Sequence, residues 1–362
     1  MKALILSGGA GTRLRPITHT SSKQLVPVAN RPILFYALDH MVDAGIKDIG
    51  IVVGDTAAEI EYAVGDGSRW NANVTYIQQE APLGLAHAVL IARDFLGDDD
   101  FIMYLGDNLL RQGVKQFVDR FESARNAAPE GKEPSAQILL ARVPDPHRFG
   151  VAELDDRGRV VHLVEKPKVP PSDLALVGAY LFDKTIHTAV RSIEPSLRGE
   201  LEITDGIQWL IDNANPVLSE VVEGYWKDLG ELDALLEGNS LMLETLSYGV
   251  HGNVDEESNV DARVLVEAGC DIVRSIIRGP AIIGAGSKIV DSYIGPFTSV
   301  AGNCVIEHSE VEHSMLLERC KLIDAGRIED SLLGREAEVT RSKTRPVATR
   351  LMVGDHSKVD LG

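Results

Sequence analysis

Over the first 230 residues, short apolar runs alternate with polar and helical stretches. The runs at Lys2–Leu6, Ile49–Val53, Val74–Ile77, Phe101–Leu105, Gln137–Val143, Val151–Leu154, Val160–Glu165, Leu174–Phe182 and Val217–Val222 have the length and aliphatic content of buried strands. Between the first two lies Pro32–Asp43, where Ile33, Leu34, Ala37, Leu38 and Met41 form one helical stripe behind a proline start. Strand, helix and strand repeated in this way predict an α/β fold with a mainly parallel, doubly wound sheet. Ligands of such sheets collect beyond the carboxyl ends of the strands.

The texture changes near residue 250. Aliphatic residues then recur near every sixth place, at Val260, Val266, Ile272, Ile277, Ile283, Ile289, Ile294, Val300, Ile306 and Val311, and small residues often follow them, as in Ile283-Gly-Ala-Gly-Ser. This period predicts a left-handed β-helix of hexapeptide type, in which each side of a coil turns one aliphatic side chain inward. An antiparallel sheet with turns is the competing pattern. The stretch from Leu229 to Gly249, with Leu232, Leu235, Leu236, Leu241 and Leu243 at helical spacing, reads as a connecting helix. The organisation expected is therefore a domain over 1–230, a connector over 231–249 and a β-helix over 250–362. Coils that bury their aliphatic residues among themselves should form a separate cooperative unit.

At 362 residues the chain is long enough for two cores. The formal net charge of −18 argues against nucleic acid or an anionic membrane as partner, so local cations must do any phosphate binding. Three cysteines, Cys270, Cys304 and Cys320, are sparse and odd in number, which fits a reducing cytoplasm better than a disulfide framework. The sequence has neither a secretory leader pattern nor a run near the ~20 apolar residues of a membrane span.

The candidate chemistry begins after the first strand. Residues 7 to 17 read Ser-Gly-Gly-Ala-Gly-Thr-Arg-Leu-Arg-Pro-Ile, followed by Lys23-Gln24. Gly8, Gly9 and Gly11 permit a sharp turn that brings backbone N–H groups against phosphate oxygens, and Arg13, Arg15 and Lys23 supply positive charge. Leu14 stands where a dinucleotide fingerprint needs its last glycine, and no Gly-Lys-Ser/Thr follows to make a P-loop. The string G-G-x-G-T-R-L-x-P-x-T resembles the signature of the sugar-nucleotide pyrophosphorylases, which join a nucleoside triphosphate to a sugar 1-phosphate. With Ser22-Lys23-Gln24-Leu25 and Pro27-Val28, and with a β-helical tail, the chain is most similar to the long form of the glucose-1-phosphate thymidylyltransferases.

That resemblance implies a Rossmann-like nucleotidyltransferase sheet, dTTP and glucose 1-phosphate as substrates, magnesium as cofactor, a homo-oligomer, and dTDP-glucose made for deoxysugar biosynthesis. The reaction is attack of a sugar phosphate oxygen on the α-phosphorus with loss of pyrophosphate, for which a protein must align two anions and neutralise developing charge. By motif match, Gly8, Gly9, Gly11 and Thr12 would cradle the triphosphate. Arg13 would follow the leaving group, and Lys23 would hold α- and sugar phosphate oxygens. Gln24 and Gln79 would read the pyrimidine edge, with Gly84 bringing backbone close to the base. Gly150, Glu165, Lys166, Val177 and Arg198 would form the sugar-phosphate pocket, Lys166 and Arg198 touching phosphate.

Asp107, in Leu-Gly-Asp-Asn, and Asp228, in Trp226-Lys-Asp-Leu-Gly, would hold the metal. The family's W-x-D-T-G has Leu229 in place of threonine here.

Two other readings stay open. A UTP-using or broader sugar-phosphate enzyme would share these motifs. A β-helix acyltransferase or a non-catalytic regulatory protein would be a different class; His308 and His313 keep the first idea in view, while the presence of Arg13, Lys23 and both aspartates speaks against lost activity. The histidines show no zinc-type spacing with cysteine and are expected mostly at the surface.

Overall fold

The two textures along the chain fold as two kinds of sheet. The computed structural model describes residues 1–9, 11–19, 22–341 and 351–360. The chain divides into two compact units, one of Met1–Ala10 with Ile33–Asp228, the other of Gly11–Pro32 with Leu229–Gly362.

In the first unit the apolar runs become a nine-stranded sheet. Its main path runs Val160–Glu165, Gly150–Leu154, Leu174–Phe182, Phe101–Leu105, Lys2–Ser7, Asp48–Val53 and Asn73–Gln78, and Ala136–Arg142 joins Leu174–Phe182 to Val217–Val221. Lys2–Ser7 pairs in parallel with Asp48–Val53 on one side and Phe101–Leu105 on the other. Crossover helices such as Ile33–Asp43 make that parallel pairing feasible. The half containing Gly150–Leu154, Val160–Glu165 and most of Leu174–Phe182 is antiparallel. For Gly150–Leu154 and Val160–Glu165 the cause is local: Asp155 to Arg159 is a tight turn, closed by the Gly158 N–H donating to the Asp155 carbonyl, and five residues cannot carry a crossover. All nine residues of Leu174–Phe182 are buried, and with Phe101, Met103, Ile186 and Ile207 they anchor the core beneath the strand ends.

One histidine departs from the surface expectation. His187 is buried, its ring 6.0 Å from that of Phe101, and burial pushes its pKa down to about 4. It is a core imidazole in its neutral form, far from a metal-ligand pattern.

The second unit contains stacked three-sided coils. Val264–Val266, Ala281–Ile283, Thr298–Val300, Met315–Leu316 and Leu332–Leu333 pair in parallel up one face. Asp271–Val273 and Lys288–Val290 belong to a second face, Ile276–Ile277 and Tyr293–Ile294 to a third, and Val305–Glu312 bends from one to the other. This is a parallel β-helix. Ile272 pairs with Ile289 and Ile289 with Ile306, so these central coils repeat every seventeen residues instead of the eighteen of three perfect hexapeptides, and Ile306 pairs with Leu322 after sixteen. The residue is lost at one corner, turned by Arg274, Asp291 and His308 with φ of 47°, 45° and 48°.

Ile272, Ile277, Ile283, Ile289, Ile294, Val300, Ile306 and Val311 all face the coil interior. Beside them runs a ladder in which Ser275, Ser292 and Ser309 each donate to a carbonyl two residues back and accept an N–H from the next coil. Buried backbone groups at the corner are thereby satisfied. The three cysteines are buried thiols, with Sγ atoms 3.1, 3.2 and 3.1 Å from the carbonyls of Gly284, Leu317 and Gly334.

The helix between sheet and coils is Leu232–Leu243, shorter than the apolar spacing from 229 to 249 implied. It meets the segment Gly11–Pro32. The Ala29 N–H donates to Asn239 Oδ1 at 2.8 Å, the Asn239 amide donates to the Phe297 carbonyl at 3.2 Å, and the Asn30 amide donates to the Val300 carbonyl at 2.7 Å. Ala29 also packs with Leu243 and Ile282. The coils are therefore not self-contained, because they help hold the segment that carries Arg13, Lys23 and Gln24.

Candidate active site

In the first unit, the candidate residues gather at strand ends. Gly8 and Gly9 follow the strand Lys2–Ser7, and a Cβ built at Gly8 would lie 3.2 Å from Gln79 Oε1. The Gln79 N–H donates to the Val53 carbonyl at 2.8 Å, which extends the strand register beyond Asn73–Gln78. Its side-chain Nε2 lies 3.3 Å from the Gly84 carbonyl and 3.1 Å from His87 Nδ1.

Gly84 has φ 103°, and a Cβ there would sit 2.3 Å from the Leu201 carbonyl oxygen and 2.7 Å from its nitrogen. The hydrogen bonds Leu201 N–H to Leu83 carbonyl and Ala86 N–H to Leu201 carbonyl hold that approach. Glycine is required at this point for both reasons. Gly84→Ala is expected to cost about 3 kcal/mol or more, through strain and displaced backbone. Urea unfolding would show this as a lower midpoint, and an unchanged midpoint would contradict it.

Asp107 and Asp228 are brought together by a two-stranded ladder, Asn108–Leu110 against Trp226–Asp228, in which Asp228 is the register partner of Asn108. Asp107 is thus one residue from the position opposite Asp228. Asn108 holds Asp107 and ties it to the facing strand: its Nδ2 donates to Asp107 Oδ1 at 2.9 Å, and its Oδ1 accepts from Trp226 Nε1 at 2.6 Å. Tyr104 Oη donates to the Asn108 carbonyl at 2.9 Å. Two aspartates so placed along the backbone are a donor type suited to a divalent cation that completes its shell with phosphate oxygens and water. Among the described residues there is no cluster of three or more metal-ligating side chains.

The sugar-side candidates also meet. Gly150 pairs with Glu165, and a Cβ at Gly150 would lie 2.6 Å from Thr204 Cγ2 and 3.1 Å from Glu165 Oε2. Glu165 accepts from Thr204 Oγ1 at 3.4 Å and lies 3.5 Å from both Lys166 Nζ and an Arg198 nitrogen. Arg198 also reaches Glu200 and Glu202 at 2.9 and 3.3 Å, so three carboxylates define where its guanidinium points. Burial pushes the Glu202 carboxyl up. Lys166 has a left-handed backbone, φ 42°, immediately after the strand Val160–Glu165. Val177 is buried where Leu174–Phe182 breaks register with Ala136–Arg142, and at the adjoining Gly178 a Cβ would lie 2.8 Å from the Asn108 side chain.

In the second unit, the segment after the glycines forms three short 3₁₀ turns, Thr12–Leu14, Ile17–His19 and Lys23–Leu25. Gly11, at φ 60°, starts the first, and its carbonyl accepts from Thr18 Oγ1 at 2.7 Å. Arg13 is half exposed, with one guanidinium nitrogen 3.5 Å from Glu231 Oε1. Lys23 and Gln24 are buried, and Gln24 Oε1 accepts from Ser22 Oγ at 2.9 Å. Leu229, where the family has threonine, is fully buried, so an apolar contact occupies that place.

Asn108, His87, Glu202 and Glu231 were not singled out by sequence. Asn108 lay within the quoted Leu-Gly-Asp-Asn string, whereas Glu202 is only four residues beyond Arg198 and Glu231 looks like an ordinary residue before a helix. His308 and His313 lie at coil corners beside carboxylates, His308 with Asp291 and Asp324 and His313 with Asp330.

In the first unit, a glycine turn after a parallel strand and carboxylates at strand ends are what a nucleotide-handling site calls for. The chain belongs to the nucleotidyl transferase family, whose sequence model matches residues 2–245. Over its full length it is 57% identical to a glucose-1-phosphate thymidylyltransferase of Streptomyces antibioticus and 56% identical to one of Streptomyces griseus; each match covers 100% of this chain and 99% of the relative. A solved Bacillus anthracis structure described as a glucose-1-phosphate thymidylyltransferase superposes with a TM-score of 0.62 at 33% identity, covering 69% of this chain and 97% of that one. Among the described residues, no helix is long and apolar enough to cross a membrane.

Proposed function

We propose that this chain is a cytoplasmic, magnesium-dependent glucose-1-phosphate thymidylyltransferase that joins dTTP and glucose 1-phosphate to give dTDP-glucose and pyrophosphate. What supports the reading is the ladder Asn108–Leu110 with Trp226–Asp228, in which Asp107 directly precedes the register partner of Asp228, in a fold whose full-length relatives bear that name. Magnesium bound at Asp107 and Asp228 would neutralise charge on the triphosphate. The remaining work falls to the chain. Gly8, Gly9, Gly11 and Thr12 offer backbone N–H groups to phosphate, Arg13 follows the charge that moves to pyrophosphate, and Lys23 and Lys166 steady the reacting phosphates. Glu165 accepts from sugar hydroxyls, with Gly150 and Val177 shaping the pocket, and Arg198 orders Glu165 besides offering positive charge. No nucleic acid or membrane enters this reading, and a homo-oligomer remains part of it by resemblance.

Pyrophosphate release across dTTP, UTP and GTP with glucose 1-phosphate tests it. A ring methyl in an apolar contact is worth about 1–3 kcal/mol, so dTTP is expected to exceed UTP by roughly 10- to 200-fold at most. GTP should be poor, because a purine would collide with the backbone at Gly84. Preference for GTP would refute the pocket, while equal use of dTTP and UTP would only widen the nucleotide range.

A further inference from the structure

The amide at Gln79, read above as a pyrimidine contact, has its nitrogen turned to the Gly84 carbonyl, and the imidazole that shares that nitrogen has no role so far. Gln79 Nε2 is 3.3 Å from the Gly84 carbonyl, which can only accept, so the nitrogen end of the amide must lie on that side. The same nitrogen is 3.1 Å from His87 Nδ1. A donor already facing it requires Nδ1 to be the accepting nitrogen, which places the imidazole proton on Nε2. With both hydrogens of Nε2 engaged, Oε1 is left on the opposite side, where a Cβ at Gly8 would stand 3.2 Å from it. Gln79 therefore turns an acceptor toward the glycine turn.

An acceptor there distinguishes bases. Thymine and uracil carry a hydrogen on N3, whereas cytosine presents a lone pair at the same atom. Oε1 attracts the first and repels the second, and a mismatched buried polar pair is a strong means of rejection. We propose that His87 is a specificity-determining positioning residue, which together with the Gly84 carbonyl locks the Gln79 amide with its oxygen outward and so admits an imide base and excludes cytosine. The proposal rests on the reading of Gln79 as a base contact. His87 sits in the first turn of the helix Leu85–Ile91, half-buried, and the close fit of Gly84 against Leu201 fixes where that helix begins. The imidazole is thus carried on rigid backbone.

The test is the ratio of kcat/KM for dTTP over dCTP, measured with glucose 1-phosphate in the full-length enzyme. His87→Lys replaces an acceptor by a donor and should draw Oε1 inward, lowering the ratio by at least about tenfold, with a gain in dCTP use. His87→Asp keeps an acceptor and should retain discrimination within about threefold of the wild type. Gln79→Leu should collapse the ratio as well. If His87→Lys discriminates as the wild type does while Gln79→Leu does not, the lock is wrong and the base contact stands. If Gln79→Leu leaves the ratio unchanged, the base contact itself is wrong, and the lock falls with it. Circular dichroism reports whether each variant folds; should the lysine variant fail to, His87→Ala replaces it, and a ratio within about twofold of wild type would overturn the proposal.

Discussion

Asp107→Asn and Asp228→Asn are each expected to lower turnover by about a thousandfold or more while leaving the fold in place. Asp228 ends one strand of a short ladder and Asp107 directly precedes the other, and neither belongs to the apolar core. An amide at either place keeps the size and removes the charge. It also disturbs the chain of hydrogen bonds through Asn108, since a nitrogen at position 107 could face the Asn108 amide with no acceptor between them. The effect should therefore divide into two parts. Raising magnesium restores some activity if weakened metal affinity is the main loss, and restores none if the alignment of the triphosphate is lost as well. Thermal unfolding and circular dichroism should match the wild type. Activity that persists in a chelator, or a variant with unaltered magnesium dependence, would remove the two-aspartate site.

Arg13→Ala should cost on the order of 100-fold in kcat with a much smaller change in KM for the nucleotide. Its guanidinium is half exposed and lies 3.5 Å from Glu231, a long and solvent-screened pairing of little stabilising value, so the side chain can leave Glu231 for a phosphate at small cost. Charge on the departing pyrophosphate grows as the bond to the α-phosphorus breaks, and a cation that follows it acts chiefly in the transition state. Steady-state rates in both directions, synthesis and pyrophosphorolysis, should fall together. A raised KM with near-normal kcat would make Arg13 a binding residue only.

Much of this architecture is visible in the residue pattern, for identifiable reasons. Buried strands such as Phe101–Leu105 and Leu174–Phe182 are continuous apolar runs that no competing pattern obscures. Coil interiors repeat one aliphatic residue per side, and the recurring interval of five, as from Ile272 to Ile277, already contains the shortened corner. The antiparallel half of the sheet is harder to read. Its only local sign is the five-residue spacing across Asp155 to Arg159, too short for a helix.

The site divides in the same way. Asp107, Asp228 and Glu165 stand at strand ends within recognisable strings, but the direction of an amide is not written in any string. Gln79 is oriented by His87, eight residues away, and by a glycine carbonyl. The anchoring of Ala29 and Asn30 is equally hidden, because it depends on partners 210 and 270 residues further along.

That anchoring orders events during synthesis. Asn239, Ile282 and Val300, which hold Ala29 and Asn30, leave the ribosome more than two hundred residues after the glycine turn and its arginine. Domains generally fold as they emerge, and contacts between distant parts of a chain wait for the later part. The sheet of the first unit can assemble while translation continues, but the loop carrying Arg13 and Lys23 settles only once the coils exist. A nascent chain would therefore hold no competent phosphate loop until the coils around Ile282 and Val300 have been made.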